Sequence, residues 1–238
     1  MKKRYFLLLS LIVTLFTCSL PELLHTNEGE SKAVGSVRNG HIENNYLFPY
    51  SGPNWRYFSW LSYYLGNNAY THSKVYRAAQ VAYSRCETTC PGVTFRLMEC
   101  ANVDGGPMYI HWTHQNGLSL DFMVPKLVDG EPAQRLDHFG IFHYLLEFTD
   151  TGVSKLDKAV RIDFESIGKH LLALDEAGRV EGLRIKKVIL KIELQDELMA
   201  TAAGPELRRR GIYFVRALPD QVNDLHDDHY HVDFVEID

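Results

Sequence analysis

Two short stretches carry most of the titratable chemistry of the 238-residue chain. One is "IHWTHQNGLSLDF", Ile110 to Phe122, with His111, His114 and, after a turn at Asn116-Gly117, Asp121 in an apolar run. The other is "LHDDHYHVDF", Leu225 to Phe234, with His226, Asp227, Asp228, His229, His231 and Asp233. Alternate side chains of a strand share a face, about 7 Å apart along it. In "HYHVDF" that places His229, His231 and Asp233 on one face and Tyr230, Val232 and Phe234 on the core face. Two imidazoles so spaced can lean toward one point, and a turn before the strand can bring His226 there.

Asp121 sits among Leu120, Phe122, Met123 and Val124. An ionised carboxylate in such surroundings needs a partner, because an unpaired buried charge is very costly. A metal ion is one partner; an arginine or a pair of backbone amides is another. Taken together, His114, Asp121 and His231 offer two nitrogens and one oxygen to a tetrahedral Zn²⁺. Three protein ligands and one open position is the pattern of catalytic rather than structural zinc. The same donors also suit other divalent first-row metals.

The paired motifs, "H-x-x-HQ-x-G-x-x-x-D" and far downstream "HDDHYHV", resemble the LAS metallopeptidases (lysostaphin-type enzymes, D-Ala-D-Ala peptidases and the hedgehog fold). Within that group the chain is most similar to the penicillin-insensitive murein endopeptidases. The resemblance spans about residues 70 to 238 and rests on "GGPMYIHWTHQNGLSLDF", "GIYFVRALPD" and "LHDDHYHV". It implies His114, Asp121 and His231 as zinc ligands and His229 as the catalytic histidine. It places His226 beside His229, holding it or contacting the oxyanion, and His111 lining the site. It implies hydrolysis of D-amino-acid cross-links in bacterial peptidoglycan stem peptides, by water activated on zinc and a histidine that acts as base or oxyanion stabiliser. The alternatives are a D,D-carboxypeptidase on stem peptides and a non-catalytic zinc-bearing module that binds the cell wall. The sequence departs from the pattern at Asp233, where an arginine is expected, and at "VND", where an aromatic run is expected.

The elements that must position these residues follow from periodicity. "THSKVYRAAQVAYSR" reads as a helix with Ser73 as N-cap and His72 just before it, and "IDFESIGKHLLALDEAGR" as a helix capped by Asp163. "VTFRLMEC", "GLSLDFMVP", "GLRIKKVILKIEL", "GIYFVRAL" and "HYHVDFVEI" read as strands. Short strands with two helices in this order predict an α+β domain: a central, mostly antiparallel sheet with flanking helices, in the manner of the hedgehog and D-Ala-D-Ala peptidase folds. The aromatic stretch Tyr46 to Tyr70 is read first as core filling and second as a substrate rim. His138, His143 and His170 read as partly buried polar residues outside the site.

Residues 1–17, a basic start followed by a short apolar run, read as a secretory signal. Cys18 after "LFT" resembles a lipoprotein cysteine, which predicts export to the periplasm and attachment to a membrane through lipid. Residues 18–45 are polar and aperiodic, a tether or loose N-terminal arm, and 46–238 form the metallopeptidase domain. In an oxidising compartment Cys86, Cys90 and Cys100 allow one disulfide and leave one thiol. A net charge of −5, with 45% hydrophobic residues, suits a globular chain and gives no reason to expect nucleic acid as a partner.

Overall fold

A computed structural model describes residues 20–108 and 111–237. The fold is α+β, with mixed sheets and several helices. Nine elements are needed to place the site. In chain order they are β1 (Lys32–Ser36), β2 (Asn39–Glu43), β3 (Trp55–Tyr57), α1 (Ser73–Thr89), β4 (Phe95–Leu97), β5 (Ser119–Met123), α2 (Phe164–Val180), β6 (Leu183–Ile189) and β7 (His229–Glu236). The central sheet has five strands in the order β6-β7-β5-β4-β3. Its neighbours pair antiparallel except β3 and β4, which run parallel.

One face of this sheet is apolar because the sequence alternates. Leu120 and Phe122 of β5 lie with Tyr230, Val232 and Phe234 of β7 in a core that α1 closes with Val75, Ala79 and Tyr83 and α2 with Ile167, Leu171 and Leu174. Phe122 and Tyr230 are register partners, and their rings stack at 5.3 Å. Each such side chain contributes about 1.5–3 kcal/mol through burial. The Tyr230 hydroxyl is satisfied by His170 of α2 at 2.7 Å, so this helix histidine serves the core. Burial holds its pKa down at about 3.

The helix starts are set locally. Asp163 caps α2, accepting the Ser166 N–H at 3.0 Å, as the sequence predicts. On α1 the cap is His72, whose Nδ1 accepts the Lys74 N–H, while Ser73 is already helical. The run 211–218 is not a strand; Phe214 makes a single bridge to Val188. The stretch Tyr46 to Tyr70 is mostly core, with Phe48, Trp55, Tyr57, Phe58 and Tyr63 buried and Trp60 exposed.

The N-terminal arm differs from the loose segment its composition suggests. From residue 20 it forms a short helix, Leu20–Leu24, and the antiparallel hairpin β1–β2. Polar side chains tie it down. The Asn27 side chain brackets the backbone of Leu47, and Glu30 binds both Ser73 and Arg77. A polar segment can be ordered when its hydrogen bonds are made to the body rather than to itself. Residues 1–17 and Cys18 lie outside the described residues, so the expected signal and lipid site do too. No helix among the described residues is long and apolar enough to cross a membrane. Cys86, Cys90 and Cys100 are all buried free thiols, with no disulfide joining them.

Candidate metal centre

The other face of the sheet is polar and also buried. Register alone joins the two sequence clusters: Asp121 of β5 pairs with His231 of β7, Met123 with His229, and Ser119 with Asp233. His231 Nδ1 lies 2.7 Å from Asp121 Oδ1. His114 reaches the other oxygen, with Nε2 3.1 Å from Oδ2. His111 Nδ1 stands 3.9 Å from that same oxygen. One donor atom each from His111, His114 and Asp121 fall within 4.8 Å of one another. His111 therefore comes closer to the donor group than a lining role requires.

His114 is delivered by a tightly held loop. Its own φ is +72°, a left-handed conformation that costs a non-glycine residue about 1–2 kcal/mol. The hairpin clamps the next residue: the Gln115 N–H donates to Val37 C=O at 3.1 Å, and the Gln115 side chain accepts from Gly40. Gly117, at φ +75°, has no room for a Cβ, which would stand 2.8 Å from the His72 nitrogen and 2.4 Å from Ile42 Cδ1. The arm is thus part of what aims His114.

Asp121 has its charge compensated. Burial opposes ionisation, but His114 and His231 hold its carboxyl well below the usual range. For His231, burial opposes the charge and Asp233 and Asp121 outweigh it, lifting the ring to about 10. Asp233 accepts from His231 Nε2 at 2.6 Å and from Ser119 Oγ at 2.6 Å, with Lys187 Nζ 3.1 Å away. The residue that departs from the expected arginine is therefore the group that fixes the far side of His231.

Beside these donors lies a second group. Asp228 bridges two imidazoles, His229 Nδ1 to Oδ1 and His143 Nδ1 to Oδ2, both at 2.6 Å. One donor atom from each of the three also falls within 4.8 Å of the others. Burial works against the Asp228 charge, yet His229 and His143 hold its pKa at about 2. Burial likewise opposes the His229 charge, and Asp228 more than offsets it, raising the pKa. His226 donates Nδ1–H to Val222 C=O at 2.6 Å, and burial followed by His229 holds its pKa down at about 3. The rings make a continuous chain: His114–His231 at 4.9 Å, His231–His226 at 6.5 Å, His226–His229 at 4.7 Å and His229–His143 at 5.6 Å between centroids.

Each site residue read from sequence is in this assembly. His114 and His231 each contact Asp121, but the donor atoms that all fall within 4.8 Å of one another are those of His111, His114 and Asp121, and His229 and His226 adjoin them. Sequence reasoning missed His143, which it placed outside the site, and Glu99. Glu99 is buried, its Oε2 has no hydrogen-bond partner among the described residues, and burial and then the Asp121 charge push its pKa up to about 8. A carboxylate at the end of a short apolar strand was its available signal. The described residues thus hold His/Asp groups able to bind a metal ion. No known protein-family model matches the chain, and no curated protein is significantly similar to it.

Proposed function

We propose that the chain is a zinc-dependent peptidase that hydrolyses D-amino-acid cross-links in bacterial peptidoglycan, with a hedgehog- or D-Ala-D-Ala-peptidase-like fold. The observation that carries this reading is the convergence on Asp121. Its partners are imidazoles from two separate elements, not an arginine or backbone amides, and the adjoining histidine is itself held by a carboxylate. Two imidazoles and a carboxylate are donor types that zinc accepts, as other divalent first-row metals do. His114 Nε2, an Asp121 oxygen and His231 Nδ1 would hold it, with the outer His231 nitrogen bonded to Asp233 in the usual carboxylate–histidine manner. Among the described residues the buried His114 Nδ1 has no hydrogen-bond partner, and the ring's ion-pair contact is with Asp121.

A zinc ion held there would supply Lewis-acid polarisation of a carbonyl and would lower the pKa of a bound water. The protein's own groups do the rest. Asp228 takes Nδ1–H of His229 and leaves Nε2 free to accept a proton from the attacking water and return it to the leaving amine. His143 pins the second oxygen of Asp228, which fixes the carboxylate and hence the ring plane of His229. His226, held neutral with its Nδ1–H committed to Val222 C=O, presents an unprotonated Nε2, which can accept a hydrogen bond from a substrate N–H or water but cannot donate one to an oxyanion. Trp112, Phe142 and Leu145 are exposed on the segments that carry His111 and His143, where a peptide strand could lie. The N-terminal signal and Cys18 place the enzyme, in this reading, in the periplasm with a lipid anchor.

The test is mass spectrometry of purified muropeptides after incubation with the zinc-loaded protein, with and without chelator. Chelator-sensitive cleavage of crosslinked dimers is the expected result. A protein that holds one zinc per chain and cleaves neither dimers nor monomers would overturn the peptidase reading.

A further inference from the structure

Asp228, His229 and His143 serve the reaction above only as a hydrogen-bonded chain, yet they are also a donor group in their own right. One carboxylate faces the Nδ1 atoms of two imidazoles, each at 2.6 Å, and one donor atom from each residue lies within 4.8 Å of the others. All three side chains are buried. Two imidazole nitrogens and a carboxylate suit a divalent first-row cation. Hydrogen bonds alone also satisfy such a group, so the case for a cation rests on what surrounds it.

Glu99 is the first neighbour that points to one. The Met98 N–H donates to Asp121 C=O at 2.8 Å and the Asp121 N–H to Glu99 C=O at 3.0 Å, so two residues after β4 stand opposite one residue of β5. A bulge of this kind re-aims a side chain. Glu99 is only 7% exposed, and its Oε2 has no hydrogen-bond partner among the described residues. Besides burial, the charges of Asp121, His229 and Asp228 act on it, which places it beside both donor groups. A buried carboxyl with a bare oxygen is compensated by a proton or by a cation. The second neighbour is a cavity of about 300 Å³ that reaches Asp228. Its charged lining is Glu147, Asp224, Asp227 and Asp228 against Lys155 and Lys191. Four carboxylates to two ammoniums draw cations, not anions, toward Asp228.

We propose that His143, Asp228 and His229 form a second cation site, filled through the acidic cavity by zinc or another divalent first-row metal, with Glu99 compensating its charge. With Nδ1 on the cation, each neutral ring carries its proton on Nε2. His229 then presents an N–H where the reaction needs a bare nitrogen, so filling this site switches turnover off. The site itself stands apart from the peptidase reading; only the inhibition rests on that reading.

The test counts zinc on the full chain by native mass spectrometry as buffered free zinc is raised, beside the muropeptide assay. The wild type should take up one zinc and then, at higher free zinc, a second, and turnover should fall as the second binds. His143→Asn keeps an N–H for Asp228 but offers no imidazole. It should stop at one zinc, with no fall from its own low-zinc turnover. Glu99→Gln should weaken the second zinc by about tenfold or more. Independently of any variant, the imidazole nitrogen NMR signals of His143 and His229 should shift together with the second equivalent. Two zincs on His143→Asn, a single zinc that both proteins hold equally, or His143 and His229 signals that zinc never moves would each overturn the site. A second zinc that leaves turnover unchanged overturns the inhibition. A count of two with no turnover at any zinc level leaves the site standing and sinks the peptidase reading alone.

Discussion

Replacing Asp233 with asparagine tests the outer support of the metal centre. Asp233 is fully buried; His231 Nε2–H and the Ser119 hydroxyl donate to Oδ1, and Lys187 Nζ makes an ion pair with Oδ2 at 3.1 Å. While it accepts from Nε2–H, His231 presents Nδ1 toward Asp121, which is the nitrogen a metal shared with Asp121 requires. Asparagine keeps one acceptor oxygen but turns an NH₂ toward the Lys187 ammonium or toward His231. Either choice leaves a buried donor facing a donor, at about 1–3 kcal/mol. Loss of a carboxylate behind a ligating histidine typically weakens metal binding by about 10–100-fold, or about 1.4–2.7 kcal/mol. Zinc affinity is read by competition with a chromophoric chelator, and stability by thermal unfolding of the metal-free protein. Adding Lys187→Met to Asp233→Asn removes the clash between donors, so it should recover stability without recovering affinity, because the charge behind His231 is still missing. Zinc affinity of Asp233→Asn within twofold of wild type would refute the reasoning.

Asp121→Ala should lose zinc and turnover together, whereas His229→Ala should keep zinc and lose about 10²–10⁴-fold in turnover; metal analysis beside a muropeptide assay separates them. Glu99, whose pKa is pushed up to about 8 first by burial and then by Asp121, should make the metal-free protein less stable as pH rises. Its folded pKa lies above its unfolded one, so the folded state holds the extra proton. That contribution is complete below the unfolded value and drains away at about 1.4 kcal/mol per pH unit up to the folded value. Glu99→Gln should flatten that slope in chemical denaturation between pH 5 and pH 8, windows of about one unit on either side of neutrality being enough to see it. Gly117→Ala should destabilise the fold by more than about 1 kcal/mol and loosen zinc binding, since a Cβ at φ +75° meets the His72 nitrogen and Ile42; unchanged affinity would detach the His114 loop from the hairpin.

What the sequence showed and what it hid follow from the range of the forces involved. Alternation in "HYHVDF" and "SLDFM" is a local property, so the two faces of β5 and β7 were legible, and the need of Asp121 for a partner pointed across the sheet to the only other dense group of imidazoles. The pairing of Asp121 with His231 keeps both apolar faces on the core, which a one-residue slip would not, but a shift of two residues would keep them there as well, so the alternation alone does not select it. His143 gave no such sign. It lies in a 3₁₀ segment, Asp137–Leu145, whose packing brings it to Asp228 across 85 positions of sequence. Nothing in "HFGIFHYLLEF" encodes that contact except the histidine itself. The arm was hidden for the opposite reason. Its hydrogen bonds run to Leu47, Ser73, Arg77 and Gln115, so its polar composition, read as solvation, was in fact a set of tertiary contacts. Groups whose role depends on a distant contact are missed by a reading of periodicity, and in this chain the hairpin that clamps the His114 loop and the His143 that holds Asp228 are such groups.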